Sequence, residues 1–408
     1  MANIEGLWNE TEALRERLIA TRRDLHAHPE LGFEEARTAG IVAQRLGELG
    51  YEVQTGIGKT GVVGILDGAA AGTADAPVLL ARFDMDALPV QEQNDVPYRS
   101  QRDGLMHACG HDAHTAIGLA VAELMARHRA EWPGTLKLVF QPAEEMVAGA
   151  LAMIKDGVLE SPKPTHTLSL HVDSNKPLGT VHITDGPMMA ATDSLKIAVK
   201  GRGTHGAQPH MGTDTILAAA HIITALQSVV ARNVNPLDQA VVTVGMIHGG
   251  SALNIIPELV EIGGTMRSYK PEVTELLRQR VREIAENTAR ALGVEAVVTF
   301  AERVTPATVN DPALAEQARR VARQLVGAPN VYSDYRLMGS EDAAYFLQAM
   351  PGVYVFVGAG NVDKGISEPH HSPRFMIDED ALPIGVTLIT ATAFDILNRR
   401  MDEHGTLD

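Results

Sequence analysis

The segment His107-Ala-Cys-Gly-His-Asp-Ala-His-Thr115 gathers three of the chain's 16 histidines and its one cysteine. Imidazole and thiolate donors packed this densely suit a transition metal better than they suit a core. A lone cysteine has no partner for an internal disulfide, which leaves ligation or plain burial. Cys109 and His111 stand just ahead of a helix predicted over 113–128, and a helix start also points backbone N–H groups at anions. Phe140-Gln-Pro-Ala-Glu-Glu-Met146 ends a predicted strand in adjacent carboxylates. Neighbouring side chains off a strand end point different ways, so one of Glu144 and Glu145 is free to ligate an ion while the other handles a proton. Hydrolysis by metal-activated water requires that division of labour. The plainer reading is a Glu pair at a helix start, favoured by the macrodipole. His171 closes the apolar run Thr167–Leu170, where open α/β sheets place their ligands. His370-His-Ser-Pro-Arg-Phe375 supplies two more imidazoles.

Positioning these groups falls to a chain of 408 residues, too long for one ordinary core. Apolar residues at helical spacing (Leu14, Leu18, Ile19, Leu25) predict an amphipathic helix over 8–27. Apolar runs at Val62–Leu66, Val78–Ala81, Thr135–Phe140 and Thr167–Leu170 alternate with helical stretches at 113–128 and 145–156. That order predicts an α/β layer with a mostly parallel sheet. Near residue 187 the texture changes. Leu195–Val199 alternates apolar and polar residues, a long helix follows over 213–231, then runs at Ala240–Met246 and Leu259–Thr265, and a charged helix over 272–292. This is the order of a small α+β, ferredoxin-like sandwich. After about 302 the first texture returns, with a buried strand at Val353–Val357 and a closing helix over 381–400. The expected layout is one domain of residues 1–186 and 302–408 with 187–301 inserted in it, and a flexible loop at Gly68–Ala76.

The insert carries Gly/Pro-rich loops bearing His205, Asn254 and Arg267. Such loops suit recognition of a carboxylate or a developing oxyanion, and equally suit tight turns. A formal net charge of −16 opposes binding to a phosphate backbone, and aromatics at 4% leave little for base stacking, so nucleic acid is excluded as a partner. The polar, acidic N-terminus lacks the regions of a signal peptide, and no stretch approaches about 18 uninterrupted apolar residues. With one cysteine, these features predict a cytoplasmic protein without a membrane span.

Taken together, His107–Thr115, Gln141–Glu145, Leu170–Val172, Thr204–His210, Asn254, Gly264–Arg267, Ser340–Asp342 and His371–Pro373 resemble the dinuclear metallo-aminoacylase and carboxypeptidase family. The likeness is nearest to its branch of hippurate and auxin-conjugate hydrolases, whose motifs Arg22–Glu30 and Arg82–Pro89 also match. The resemblance implies a metallopeptidase-type catalytic domain with an inserted lid and dimerisation domain. It implies that Cys109 bridges two divalent ions, that His111 and His171 complete one shell and Glu145 and His371 the other, and that Glu144 is the general base. Asp84 would remain a partner behind the ligands, with His107 and His114 as supporting neighbours. His205 would support the oxyanion from a partner subunit, and Asn254 and Arg267 would hold a substrate carboxylate. The implied reaction is attack of a metal-activated water on the amide of an N-acyl or N-aroyl amino acid in a homodimer or larger homo-oligomer. A dipeptidase or carboxypeptidase of the same family is the alternative; a cysteine-nucleophile enzyme and a non-catalytic metal binder are the more distant ones. The donor set admits zinc, nickel, cobalt or manganese. Met146, Met188, Met189 and Met338 are candidate linings of an apolar acyl pocket.

Overall fold

A computed structural model describes residues 3–70 and 76–398. Most of the loop expected at Gly68–Ala76, and the end of the helix expected over 381–400, lie outside the described residues. The described chain divides into two compact units. One holds the residues up to Gly186, Val309–Tyr335 and those from Asp342 on; the other holds Pro187–Thr308 and Arg336–Glu341.

The first unit is a mixed α/β fold around an eight-stranded sheet. Its order is Glu52–Ile57, Gly61–Asp67, Thr135–Gln141, Val78–Asp84, His166–Pro177, Gly352–Gly360, Val181–His182 and Val331–Tyr332. The four strands from Thr135–Gln141 to Gly352–Gly360 run parallel. They are buried along nearly their whole length, as parallel strands covered on both faces must be. The helix Ala381–Leu397 is buried at every residue but Asp395, which explains why its sequence is apolar all round except for three small threonines and that aspartate. The expected opening helix is two helices, Ile4–Ala13 and Arg15–Ala27, that meet at Leu14.

Arg22 fastens this opening segment to the site. Its guanidinium is fully buried, with Nε 2.8 Å from Asp112 Oδ2, and His26 Nδ1 lies 2.8 Å from the same oxygen. Removing one member of a buried pair leaves the other charge uncompensated, so Arg22→Ala is expected to lower stability by about 3–5 kcal/mol. Urea denaturation reads this directly, and an unchanged midpoint would contradict it.

The second unit is a four-stranded antiparallel sheet in the order Ala240–Gly249, Leu259–Ser268, Ala191–Lys200, Glu295–Phe300. Leu195, Ile197 and Val199 alternate inward from the strand Ala191–Lys200. They meet Ala218, Ala219, Ile222 and Leu226 of the helix Thr215–Leu226, and Val273, Leu277, Val281, Ala285 and Ala289 of Pro271–Ala291. The single helix expected over 213–231 breaks at Gln227 into Thr215–Leu226 and Ser228–Asn233. Composition does not mark Arg336–Glu341 as part of this unit. Backbone bonds bring it there, from Leu337 N–H to Met188 O at 2.9 Å and from Ala190 N–H to Gly339 O at 2.8 Å. Among the described residues no helix is long and apolar enough to cross a membrane.

Candidate metal centre

The site forms at the end of the parallel strands. The strand Val78–Asp84 pairs with His166–Pro177 only as far as Arg82 opposite Ser169. Beyond that point the His114 ring lies between them, bonded to Asp84 Oδ1 and to the Val172 N–H. His171 therefore lies within a strand that runs on to Pro177, rather than at its end as the sequence suggested. The helix behind the Cys109 loop begins two residues earlier than predicted, so His111 is its first residue. Gly110, at φ 91°, makes the turn into it; a Cβ there would meet Val172 Cγ2 at 2.6 Å.

Glu144 and Glu145 do not start a helix. They sit in a tight turn, and the helix expected over 145–156 begins only at Gly149. Ala143 and Val147 flank the pair at φ 49° and 53°, a conformation that costs about 1–3 kcal/mol at each non-glycine residue and persists only under restraint. The restraints are visible. Asp342 Oδ1 accepts from Gln141 Nε2 at 2.6 Å and Oδ2 from Ala150 N–H at 3.0 Å, clamping both ends of the turn. Glu35 accepts from Ala143 N–H at 2.9 Å. Gly149 completes the turn, since any Cβ there would strike the Pro142 carbonyl.

Among the described residues five groups of donors have their ligand atoms within 4.8 Å of one another, and two of these share the Cys109 sulfur. Cys109, His111 and His171 form one; Cys109, Glu145 and His371 form the other. Cys109 Sγ lies 3.5 Å from His171 Nε2, and His371 Nε2 lies 3.3 Å from Glu145 Oε1. His171 Nδ1 donates to the Val172 carbonyl at 2.6 Å, which leaves Nε2 unprotonated toward the cluster. One further atom, His111 Nε2, is buried without a hydrogen-bond partner. Buried polar atoms are seldom orphaned, and this one lies where a cation would sit. The donor types and this orphan fit divalent ions.

Electrostatics agrees. Burial opposes charge on His111, but Asp84, Asp86 and Glu145 outweigh it and hold its pKa up at about 10. Burial raises the Cys109 thiol well above its usual range, and Glu145, Glu144 and Asp84 raise it further. A nucleophilic cysteine needs the opposite shift, so the cysteine-enzyme reading fails on its surroundings. Burial pushes His171 well below its ordinary value, with His114 and His370 adding to the effect, and keeps it neutral. Carboxylates dominate the pocket, and they keep His111 protonated.

Supporting residues sort themselves by what their atoms touch. His114 spends both nitrogens, Nδ1 on Asp84 Oδ1 at 2.6 Å and Nε2 on the Val172 N–H at 2.9 Å. Arg82 Nη1 holds Asp84 Oδ2 at 2.7 Å. His107 is buried with neither ring nitrogen bonded, and burial pushes its pKa down to about 4. The sequence reading missed two residues. Asp86 faces His111 Nδ1 at 3.1 Å; it lies inside the Arg82–Pro89 motif, where its type alone does not set it apart from Asp84. His370 Nδ1 lies 3.6 Å from Cys109 Sγ, and it stood beside His371 in the expected cluster.

The other expected residues belong to the second unit. His205 lies in the short strand Thr204–His205, paired with Ile255–Ile256, and is exposed. The Asn254 carbonyl accepts from Gly206 N–H at 2.7 Å, so the His205 loop and the Asn254 turn are held together. Arg267 is half-buried; Nη1 donates to the Met338 carbonyl at 2.8 Å, and it forms no ion pair among the described residues. Of the candidate pocket methionines, Met188 is wholly buried and packs as core, while Met146 is exposed.

A buried carboxylate beside clustered thiol, imidazole and carboxylate donors, near the ends of parallel strands in an α/β sheet, is the arrangement a metallohydrolase requires. The sequence profile of peptidase family M20/M25/M40 matches residues 80–395. IAA-amino acid hydrolase ILR1-like 4 of Arabidopsis thaliana is 39% identical over 379 residues, 92% of this chain and 84% of that protein. N-acetylcysteine deacetylase of Bacillus subtilis is 37% identical over 387 residues, covering 95% and 98%. A crystal structure from Bacillus subtilis, described as a dinuclear metal-binding peptidase of the M20 family, superposes with a TM-score of 0.82 at 34% identity, covering 95% of this chain and 99% of that one. The chain belongs to peptidase family M20/M25/M40. It is a metal-dependent hydrolase of amide bonds.

Proposed function

We propose that this enzyme cleaves the amide bond of N-acyl or N-aroyl amino acids, hippurate-like compounds among them, with two divalent ions per chain. The observation that carries the reading is the sharing of Cys109 between two donor groups. His111 and His171 would hold one ion, Glu145 and His371 the other, and Cys109 would serve both as a thiolate. The ions supply Lewis acidity, acidifying the attacking water and polarising the amide carbonyl. Glu144 does the proton work. It is nearly buried, and its Oε2 is 4.0 Å from His111 Nε2, close to both groups without belonging to the shared set. It takes the proton of the attacking water and delivers it to the leaving nitrogen. Arg267, half-desolvated and without a carboxylate partner, binds the substrate's free carboxylate with Asn254.

The named substrates of the two similar proteins, IAA-amino acids and N-acetylcysteine, share an acylated amino acid. A panel of N-acetyl, N-benzoyl and indole-acetyl amino acids against unblocked dipeptides tests the class. Cleavage of the blocked compounds, abolished by chelator and restored by Zn²⁺, Mn²⁺, Ni²⁺ or Co²⁺, is expected; preference for unblocked dipeptides would favour the peptidase alternative.

A homodimer in the cytoplasm completes the proposal. The strand Ala240–Gly249 is a sheet edge, and Met246, Ile247 and the neighbouring Leu253 and Ile255 expose apolar side chains. An edge of this kind invites pairing with a second copy. His205 then supports the oxyanion of the partner's site. Mixing inactive Glu144→Gln and His205→Ala chains is expected to restore about a quarter of wild-type activity, since half the dimers are mixed and each holds one intact site. No recovery after subunit exchange would rule the shared site out.

A further inference from the structure

We propose that a hollow between three helices of the first unit binds a short carboxylic acid, with its chain on an apolar floor and its carboxylate on Arg17 and Arg45. The inference does not rest on the assignment of metal ligands, because none of them lines the hollow.

The hollow has a volume of about 240 Å³ and lies among the helices Arg15–Ala27, Ala36–Glu48 and His111–Arg127. Leu14, Leu18, Ile41 and Leu119 make its floor. Ala116 and Ala120 leave the room: they stand one turn apart on the last helix, where larger side chains would fill the space. A water takes about 30 Å³ of liquid volume, so the hollow holds about eight heavy atoms. That is the size of hexanoate or benzoate, and smaller than the roughly 300–1,000 Å³ that drug-sized ligands occupy.

The rim is cationic. The guanidiniums of Arg17, Arg45 and Arg127 converge on the single carboxylate of Glu123, and the first two line the hollow with it. Glu48 takes a share of Arg45 at 3.1 Å, and Glu10 lies 3.8 Å from Arg127. Arg17 has no acid but Glu123 among the described residues, and its side chain is 54% exposed. A guanidinium carries more N–H donors than one carboxylate takes, so Arg17 and Arg45 keep donors for a second. This local excess of cation belongs to a chain whose formal net charge is −16. A neutral ligand would leave those donors to water, and an inorganic anion would leave the apolar floor uncovered. An acid with a short apolar chain satisfies both. Hydrolysis of an amide releases a carboxylic acid, so ligands of this class form at the enzyme itself.

The test is a ¹³C-methyl NMR titration of the full, metal-loaded chain with hexanoate, benzoate and hexanamide, read at Leu18, Ile41 and Leu119. Both acids are expected to shift these signals along one saturable curve, with a dissociation constant on the order of millimolar for so small a ligand. Hexanamide has the same length without the charge and is expected to bind about 10-fold more weakly. Exposed ion pairs are each worth little, so Arg17→Gln is expected to weaken the acids by about 3–10-fold while leaving hexanamide unchanged. Ala120→Leu fills the hollow and is expected to abolish the shifts from acids and amide alike, which separates this site from a carboxylate bound at the metal centre. Equal binding of hexanoate and hexanamide, or an undiminished hexanoate response in Arg17→Gln, overturns the carboxylate assignment. No saturable shift in the wild type, or shifts that persist in Ala120→Leu, overturns the site itself. If Ala120→Leu fails to fold, the surface variant Arg17→Gln and the amide decide alone.

Discussion

Glu144→Gln is expected to retain two ions per chain and to slow turnover by about 10²–10⁴-fold, the range in which a positioned proton carrier contributes. Glutamine has nearly the same shape, so the turn set by Ala143, Val147 and Asp342 should survive. Only the ability to accept and return a proton is removed. The effect should fall on kcat rather than KM, because Glu144 acts on the reacting atoms and not on the substrate's carboxylate. Steady-state rates and metal analysis on the same sample decide the matter. Near-normal kcat with full metal would remove Glu144 from the proton work.

Cys109→Ser should produce the other large change, in metal content before rate. Loss of an outer partner of a ligand already costs about 10–100-fold in metal affinity, and a thiolate shared by two ions should cost more. Serine offers a hydroxyl that resists ionisation, among carboxylates that oppose a second negative charge. Burial and those same carboxylates already hold the free Cys109 thiol protonated, so a cation must be present for the thiolate to form. The variant is expected to hold fewer than two ions after dialysis and to lose activity in proportion. An unchanged metal-to-protein ratio would mean that the ions, if present, are held without Cys109.

Much of the site could be read from residue types alone. Cys109, His111, Glu144, Glu145, His171 and His371 stand out because thiol, imidazole and paired carboxylates fall at strand and helix ends, where chains turn and side chains converge. Alternation in Leu195–Val199 and helical spacing in 272–292 place the second unit's elements for a similar local reason, since burial on one face leaves a period in the sequence. The start of the helix after Glu145 was misjudged because left-handed Ala143 and Val147 leave no compositional mark. Their conformation is imposed from a distance by Asp342, Glu35 and Asp86. Arg336–Glu341 was misplaced for the same reason, being held by backbone bonds that no side-chain pattern reports.

The sequence by itself determined which donor atoms this protein has and on which kind of element each is mounted, because those follow from side-chain chemistry and short-range periodicity. Only the tertiary structure decided how they are grouped. Cys109 comes to lie between His111 and His171 on one side and Glu145 and His371 on the other because strands far apart in the chain end side by side. It also decided how two of the imidazoles are held, with His111 Nδ1 against Asp86 and His171 Nδ1 on the Val172 carbonyl, so that each turns its Nε2 toward the cluster. Ligation depends on separations of a few ångströms and on the direction of a lone pair, and those are properties of the folded chain.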